Sequence, residues 1–281
     1  QTLRQLAEET IREKALILGL VQGLTEFLPV SSSGHLILIR KVFGFESESF
    51  GLTFDIAVHL ATLVAVFIVL KKEIAALIKR PFQKLTLLLI IATIPAALVG
   101  VFFDDYIEEM SSSGGFLGFA FLVTAILLIF AERRKKNGGK KALSDLGLFG
   151  SLAIGATQAV AIMPGISRSG STFAAGTYTG LKKEAALKFS FLMSIPVILG
   201  SVVLGVKDIV ETSQDVDWLC LLAGMLSAGI SGYIAIKFML DFFKRKKLYV
   251  FAIYLIILGV FVILDQLVFH KFFGTFLIWT Y

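Results

Sequence analysis

The sequence predicts an all-α polytopic membrane protein, organised as an inverted repeat of two units that each contain a re-entrant helix hairpin and three transmembrane helices. Composition is the first observation, since 56% of the 281 residues are hydrophobic and only 17% are charged. A soluble domain of this length carries more charge. The second observation is an alternation of long apolar stretches with short charged loops, and the third is a polar segment that occurs twice.

The apolar stretches are long enough to cross a bilayer as helices. They lie at 54–70, 85–103, 116–131, 185–206, 218–236 and 248–269. The loops are basic at 71–84, 132–141 and 237–247, and acidic at 104–109 and 207–217. Because Lys and Arg are enriched in cytoplasmic loops, we expect the basic loops in the cytoplasm. The net charge of +6 then reflects topology and contact with membrane lipids, and no nucleic-acid partner is expected.

The repeated polar segment relates residues 19–35 to residues 155–171. Identical residues recur at Gly19/Gly155, Gln22/Gln158, Ser31/Ser167, Ser33/Ser169 and Gly34/Gly170. Random pairing over such a window gives about one identity at average residue usage. The segments are interpreted as an internal duplication of a helical hairpin with a polar break.

Neither polar segment fits an ordinary loop or a complete span. Each has to enter the membrane and leave on its own side, the first from outside and the second from inside. The predicted first unit, 1–141, contains a surface helix at 1–14, a hairpin at 15–41 and three spans. The second unit, 142–281, contains a hairpin at 147–181 and three spans. Irregular backbone at membrane depth requires protein or a wet cavity around it, so the two tips should share one.

The first hairpin carries Gly19, Gln22, Gly23 and Glu26 on one helical face. The glycines allow close approach of another helix. A carboxylate at membrane depth is commonly a metal ligand, a proton relay or a general base. The alternative is that Gln22 and Glu26 only form hydrogen bonds between helices.

The break in the first hairpin contains Ser31, Ser32, Ser33 and Gly34, followed by His35. Serines before a glycine suit a tight turn that directs amides and hydroxyls at an anion. Serine clusters are also common in turns without any ligand. His35 is interpreted as a functional histidine, with a hydrogen-bonded core histidine as the alternative.

The second hairpin places Arg168 among Ser167, Ser169 and Gly170. The planar guanidinium suits bidentate binding of phosphate, and the neighbouring hydroxyls and amides add donors. A structural salt bridge from Arg168 to Glu26 is the alternative, and it is compatible with phosphate binding.

Asp55 and His59 also combine a carboxylate with an imidazole. They lie one helical turn apart at the outer end of a predicted span. They could line the entrance to the site, but an interfacial pair is the favoured interpretation. The hairpin residues alone already supply an anion clamp, a nucleophile and a proton carrier, which are the parts needed for phosphoryl transfer.

The two polar segments resemble those of the undecaprenyl-diphosphate phosphatase family known as UppP or BacA. QGLTEFLPVSSSGH at 22–35 looks like the first motif of that family, and PGISRSGST at 164–172 looks like the second. The resemblance implies hydrolysis of undecaprenyl diphosphate to undecaprenyl phosphate and inorganic phosphate, and hence resistance to bacitracin. It also implies a site open toward the outer face of the bacterial plasma membrane and a divalent cation, Mg²⁺ or Ca²⁺.

The resemblance assigns catalytic roles to Glu26, Ser32, His35 and Arg168. It assigns phosphate binding to Ser31, Ser33, Ser167, Ser169, Gly170 and Arg168. Glu26 and Gln22 are the candidate metal ligands, although family members vary between Glu and Gln at the latter position. Attack by Ser32, by His35 or by water on the phosphorus stays open, with Glu26 or His35 as the proton acceptor.

The main alternative is a secondary transporter or a flippase of a phosphorylated lipid, because inverted repeats with broken helices are common among transporters. Such a protein would need only the anion clamp, so the Glu-Ser-His grouping favours an enzyme. The sequence leaves the oligomeric state open, with a homodimer as one option.

Overall fold

The computed structural model of the protein describes residues 3–45, 50–133, 139–212, 217–245 and 247–273. Within these ranges the secondary structure is helical, and the one bridge between extended residues joins Lys141 to Leu181. The helices are α1 (Leu3–Phe27), α2 (Ser32–Phe43), α3 (Leu52–Val69), α4 (Lys71–Lys79), α5 (Lys84–Phe102), α6 (Asp104–Ser113), α7 (Leu117–Arg133), α8 (Leu148–Val160), α9 (Arg168–Tyr178), α10 (Lys183–Thr212), α11 (Trp218–Arg245) and α12 (Tyr249–Leu264).

The predicted spans are confirmed as helices. By length and composition, α3, α5, α10, α11 and α12 with its π-helical extension to Phe269 could each cross a membrane. The remaining predicted span, 116–131, is α7. This helix has 17 residues and follows the short helix α6 at a bend of 102°. Helices α10 and α11 extend well beyond their predicted ends at residues 206 and 236.

The two polar segments form helix pairs interrupted at their predicted breaks. Helices α1 and α2 are separated by residues 28–31, and helices α8 and α9 by residues 161–167. The predicted helix at 1–14 and the first arm of the hairpin at 15–41 form one helix, because α1 runs without interruption from Leu3 to Phe27, and the placement of its first part on the membrane surface stays a prediction. The chain has no Gly or Pro before Gly19 and is rich in strong helix formers there, so nothing ends the helix near residue 14.

Close helix packing fixes the first arm of each hairpin. Helix α1 packs along α11, and helix α8 packs along α5 in the corresponding way. A Cβ atom on Gly19 would collide with the backbone of Gly224, and one on Gly155 with the backbone of Ala92. The glycines are therefore required where the helices touch, as expected. The opposite orientation of the two units and their division after residue 141 stay predictions.

The end of α1 is anchored in the largest apolar cluster of the described residues. Phe27 is fully buried and meets Phe191 of α10 edge to face, with ring centroids 5.5 Å apart. This contact fixes the turn of α1 that carries Glu26, so the carboxylate is presented by a rigid helix end.

Candidate active site

The break between α1 and α2 is a strained turn stabilised by its own serines. Ser31 has a φ of 73°, a conformation uncommon for residues other than glycine. Its Oγ caps α2 by accepting a hydrogen bond from the Gly34 amide at 3.3 Å, and lies 3.3 Å from Ser33 Oγ. This geometry makes Ser32 the first residue of α2 and brings its hydroxyl to the end of α1.

The break between α8 and α9 repeats this capping arrangement. Ser167 Oγ accepts a hydrogen bond from the Gly170 amide at 3.1 Å and lies 3.3 Å from Ser169 Oγ. Arg168 is thereby the first residue of α9, at the position that corresponds to Ser32 of α2. The serines shared by the two segments thus make the same capping bond, although the backbone differs, with a φ of 73° at Ser31 and −71° at Ser167.

The two breaks lie in contact with each other. Ser169 Oγ donates to the Leu28 carbonyl at 2.9 Å, and the Gly165 amide donates to Ser33 Oγ at 3.4 Å. The expectation that the two hairpin tips meet is therefore confirmed by direct hydrogen bonds between them.

Glu26 is the centre of the polar network at this junction. Arg168 Nη2 lies 2.6 Å from its Oε1, while Ser32 Oγ donates to its Oε2 at 2.5 Å. Gln22 Nε2 donates to Oε2 at 3.0 Å, and His59 Nε2 lies 3.7 Å from the same oxygen. The salt bridge considered from the sequence is therefore present, and it occupies only one of the two terminal guanidinium nitrogens.

A polar cavity of about 200 Å³ opens at this network. Its lining comprises Glu26, Ser31, Ser32, Ser33, His59, Gln158, Ala161, Ile162, Ile166, Ser167, Arg168, Val197, Ile198 and Ser201. Arg168 Nη1 is buried at this wall and has no hydrogen-bond partner among the described residues. A buried cationic donor without a partner favours an anion in the cavity.

A larger, mostly apolar cavity of about 700 Å³ adjoins the polar one. The two have four lining residues in common, namely His59, Ile162, Val197 and Ser201. Side chains from α3, α5 and α10 supply most of its wall, including Leu52, Ile56, Ala97, Val101 and Leu204. The two cavities are therefore neighbours that share part of their walls.

His35 lies behind the first break and is absent from the cavity lining. Its Nδ1 donates to the Ser31 carbonyl at 2.7 Å, and its Nε2 lies 2.8 Å from the Tyr254 hydroxyl. The ring stacks on Tyr254 and is 5% exposed. With both ring nitrogens engaged, His35 supports the turn, which fits the core alternative considered from the sequence.

His59 joins the site, and the favoured interpretation of Asp55 and His59 as an interfacial pair is wrong. The carboxylate of Asp55 is bound by both terminal nitrogens of Arg40, so it is not paired with the imidazole. His59 Nδ1 donates to the Asp55 backbone carbonyl at 2.7 Å, which directs Nε2 toward Glu26. The only signal in the sequence was an imidazole within an apolar helix.

The donor set at the cavity does not form a cation cage by itself. In the described part of the chain no group of three or more His, Cys, Asp and Glu residues could hold a metal ion. Glu26 lines the cavity, whereas Gln22 does not and instead directs its amide at Glu26. Mg²⁺ is often held by one or two carboxylates together with substrate phosphates. Glu26 could therefore contact a cation that arrives with a diphosphate.

Comparison with known proteins finds similarity to one family along most of the chain. The profile of the family "Bacitracin resistance protein BacA" matches residues 15–261. The "Undecaprenyl-diphosphatase" of Carboxydothermus hydrogenoformans is 46% identical over 256 residues, which is 90% of this chain and 97% of that protein. "Undecaprenyl-diphosphatase 4" of Bacillus thuringiensis is 45% identical over 254 residues, 90% and 96% of the two chains. "Undecaprenyl-diphosphatase" of Methanobrevibacter smithii is 42% identical over 275 residues, 90% and 97% of the two chains.

Proposed function

The chain belongs to the bacitracin resistance protein BacA family, and from that premise we propose that it hydrolyses undecaprenyl diphosphate to undecaprenyl phosphate and inorganic phosphate. This reaction recycles the lipid carrier of cell-wall synthesis and gives resistance to bacitracin. The observation that carries the proposal is the chain of contacts from Ser32 through Glu26 to Arg168 in one small polar cavity. It connects the Ser32 hydroxyl, which Glu26 can activate, to the Arg168 guanidinium, which can bind an anion.

Arg168 binds the terminal phosphoryl group in this proposal. Its Nη2 is held by Glu26, which fixes the plane of the guanidinium, and its Nη1 remains as a buried donor. The first turns of α2 and α9 both border the cavity, and helix N-termini favour anions. Ser31, Ser33 and Ser167 line the cavity and add hydroxyls around the phosphoryl oxygens. The predicted phosphate ligands Ser169 and Gly170 are absent from the lining, and they shape the second turn through their bonds to Leu28 and Ser167.

Ser32 is the proposed nucleophile and Glu26 is its general base. Ser32 Oγ attacks the terminal phosphorus, and its proton passes to Glu26 Oε2 along the 2.5 Å hydrogen bond. The bond from phosphorus to the bridging oxygen breaks, and undecaprenyl phosphate leaves. Water then attacks the phosphoserine, so that inorganic phosphate is released and Ser32 regains its proton. The geometry favours this route over attack by His35, whose two nitrogens are already hydrogen-bonded.

The apolar cavity accommodates the first isoprene units of the lipid. It shares His59, Ile162, Val197 and Ser201 with the polar cavity, so an extended lipid diphosphate could occupy both. Apolar walls around a lipid tail contribute about 25 cal/mol for each Å² removed from water. We therefore expect a lipid-borne diphosphate to be preferred to a soluble one.

A divalent cation, Mg²⁺ or Ca²⁺, is part of the proposal. When bound, it neutralises charge on the diphosphate and assists departure of the phosphate. Glu26 is the lining carboxylate that could hold it. The proposed location is the bacterial plasma membrane, with the site open to the outer face, because the basic loops 71–84, 132–141 and 237–247 favour the cytoplasm.

The test is phosphate release from undecaprenyl diphosphate by the purified protein in liposomes, beside Arg168→Ala and Glu26→Ala. We expect turnover in the unmutated protein and at least a ~100-fold loss in each variant with the fold intact. Saturable lipid binding without turnover in the unmutated protein would instead indicate a transporter. An arm with EDTA tests the cation separately, since full turnover in EDTA would contradict that part alone.

A further inference from the structure

Gln158 of α8 lies on the wall of the polar cavity with its amide unused. The residue is fully buried, and it lines the cavity together with Glu26 and Arg168. Neither its Nε2 nor its Oε1 has a hydrogen-bond partner among the described residues. Buried amides are nearly always hydrogen-bonded, so two unused atoms on one side chain at a cavity point to a ligand.

The position of Gln158 is set by packing of the helix. Gly155, one turn earlier, contacts the backbone of Ala92, and Ser151 Oγ donates to the Leu88 carbonyl at 2.5 Å. Both contacts press α8 against α5. The side chain of Gln158 is therefore presented by a rigid helix and does not depend on polar contacts of its own.

Gln22, which corresponds to Gln158 in the first polar segment, makes a different contact. Gln22 is also fully buried, but its Nε2 donates to Glu26 at 3.0 Å and the residue does not line the cavity. The two glutamines occupy the same register in the two polar segments, yet only the Gln22 amide donates to a protein group, while its Oε1, like both amide atoms of Gln158, has no partner among the described residues. The duplicated position has thus been left available for a ligand in the second hairpin.

Arg168, which lines the same cavity, has a further buried donor without a partner in its Nη1. A phosphoryl group has several oxygens, so it could accept from a guanidinium and an amide at once. An amide donor binds phosphate without adding positive charge. A second cationic side chain at this place would instead compete with Arg168 for Glu26.

We propose that Gln158 is a substrate-binding residue that donates a hydrogen bond from its amide to the phosphoryl group held by Arg168. This inference rests on the proposed function and adds a contact from α8 to it. The ligand it recognises is a diphosphate or phosphate oxygen.

The test compares Gln158→Leu and Gln158→Glu with the matched control Thr157→Val on the same helix. The Thr157 hydroxyl donates to the Ile154 carbonyl, and the residue does not line the cavity. We expect Gln158→Leu to lower kcat/KM for undecaprenyl diphosphate by about 10- to 100-fold, as for a lost hydrogen bond to a charged group. Gln158→Glu should lower it further, because a carboxylate repels the phosphate. The control should stay within about 3-fold of the unmutated protein, because its hydroxyl has no contact with the ligand.

Thermal unfolding separates a binding role from a structural one. Because Leu removes an unsatisfied buried amide, Gln158→Leu should keep or raise the Tm without ligand. Inorganic pyrophosphate should raise the Tm of the unmutated protein and of Thr157→Val, and raise that of Gln158→Leu much less. Unchanged kcat/KM, an unchanged pyrophosphate effect, or a loss of activity that follows a loss of Tm would each overturn the inference. If the unmutated protein shows no turnover, the proposed function fails, and the pyrophosphate effect still decides whether Gln158 binds the anion.

Discussion

Arg168 and Glu26 form an ion pair at 2.6 Å although 142 residues separate them in the sequence. The pair joins the first residue of α9 to the last turn of α1, and so it closes the contact between the two hairpin tips. Both side chains line the polar cavity, so the same bond that joins the hairpins also orients the proposed phosphate clamp.

Replacement of Arg168 by lysine should abolish most activity even though the charge is kept. A lysine ammonium lacks the planar fork that binds Glu26 with one nitrogen and leaves another for phosphate. We expect kcat/KM for undecaprenyl diphosphate to fall by about 100-fold or more. Arg80→Lys, at an exposed position, is the control and should leave the rate unchanged. Comparable rates in the two variants would contradict the clamp.

Replacement of Ser32 by alanine should lower activity far more than replacement of Ser33. Ser32→Ala removes the hydroxyl bound to Glu26, and we expect a loss of about 1,000-fold or more in kcat. Ser33→Ala removes contacts to Ser31 and to the Gly165 amide, and should cost about 10-fold. Rapid quenching with labelled substrate should trap phosphate on Ser32. A label on His35 would replace the serine route by a phosphohistidine route, and no label would indicate direct attack by water.

His59 should contribute to activity through its contact with Glu26. His59→Ala removes the imidazole 3.7 Å from the carboxylate, and we expect kcat/KM to fall by about 10-fold. His59→Gln should recover part of the loss, because its amide can reach the same region and donate. Equal losses in both variants, with an unchanged fold, would show that only the ring shape matters.

Removal of the Tyr254 hydroxyl should affect stability more than catalysis. In Tyr254→Phe, the buried Nε2 of His35 loses its partner at 2.8 Å, which should lower the free energy of unfolding by about 1–3 kcal/mol. Since His35 lies outside the cavity lining, kcat should stay within about 3-fold. Thermal unfolding and steady-state kinetics on the same preparation check both expectations. A large loss of kcat without a loss of stability would indicate that His35 takes part in the reaction.

Gly155→Ala should weaken the packing of α8 against α5. The added Cβ would collide with the backbone of Ala92, and overpacking of this kind costs about 1–3 kcal/mol. Gly200→Ala is the matched control, because a Cβ there meets nothing within 4 Å. That substitution should be neutral or stabilising, since alanine has the higher helix propensity. Equal Tm values for both variants would contradict the close approach of the two helices.

The sequence was sufficient to predict the spans and the duplicated turns. Long apolar runs identify membrane helices because a bilayer core requires them, and Ser31 and Ser167 share a capping role that local sequence determines. The approach of His59 to Glu26 could not be predicted, because it depends on how α3 packs beside the tip of α1. The position of His35 likewise depends on Tyr254, which lies 219 residues away in the sequence. Contacts of this kind follow from tertiary packing and leave no local pattern.

The contact between the two hairpins also determines the order in which the protein can mature. Glu26 is buried, and the cation that balances it follows 142 residues later in the chain. Translation of that length takes on the order of 10 s at typical rates. During this time the first hairpin carries a carboxyl group without its guanidinium, so burial of the charged form is costly until the second hairpin arrives. Insertion of the last five helices therefore completes the folding of the first two.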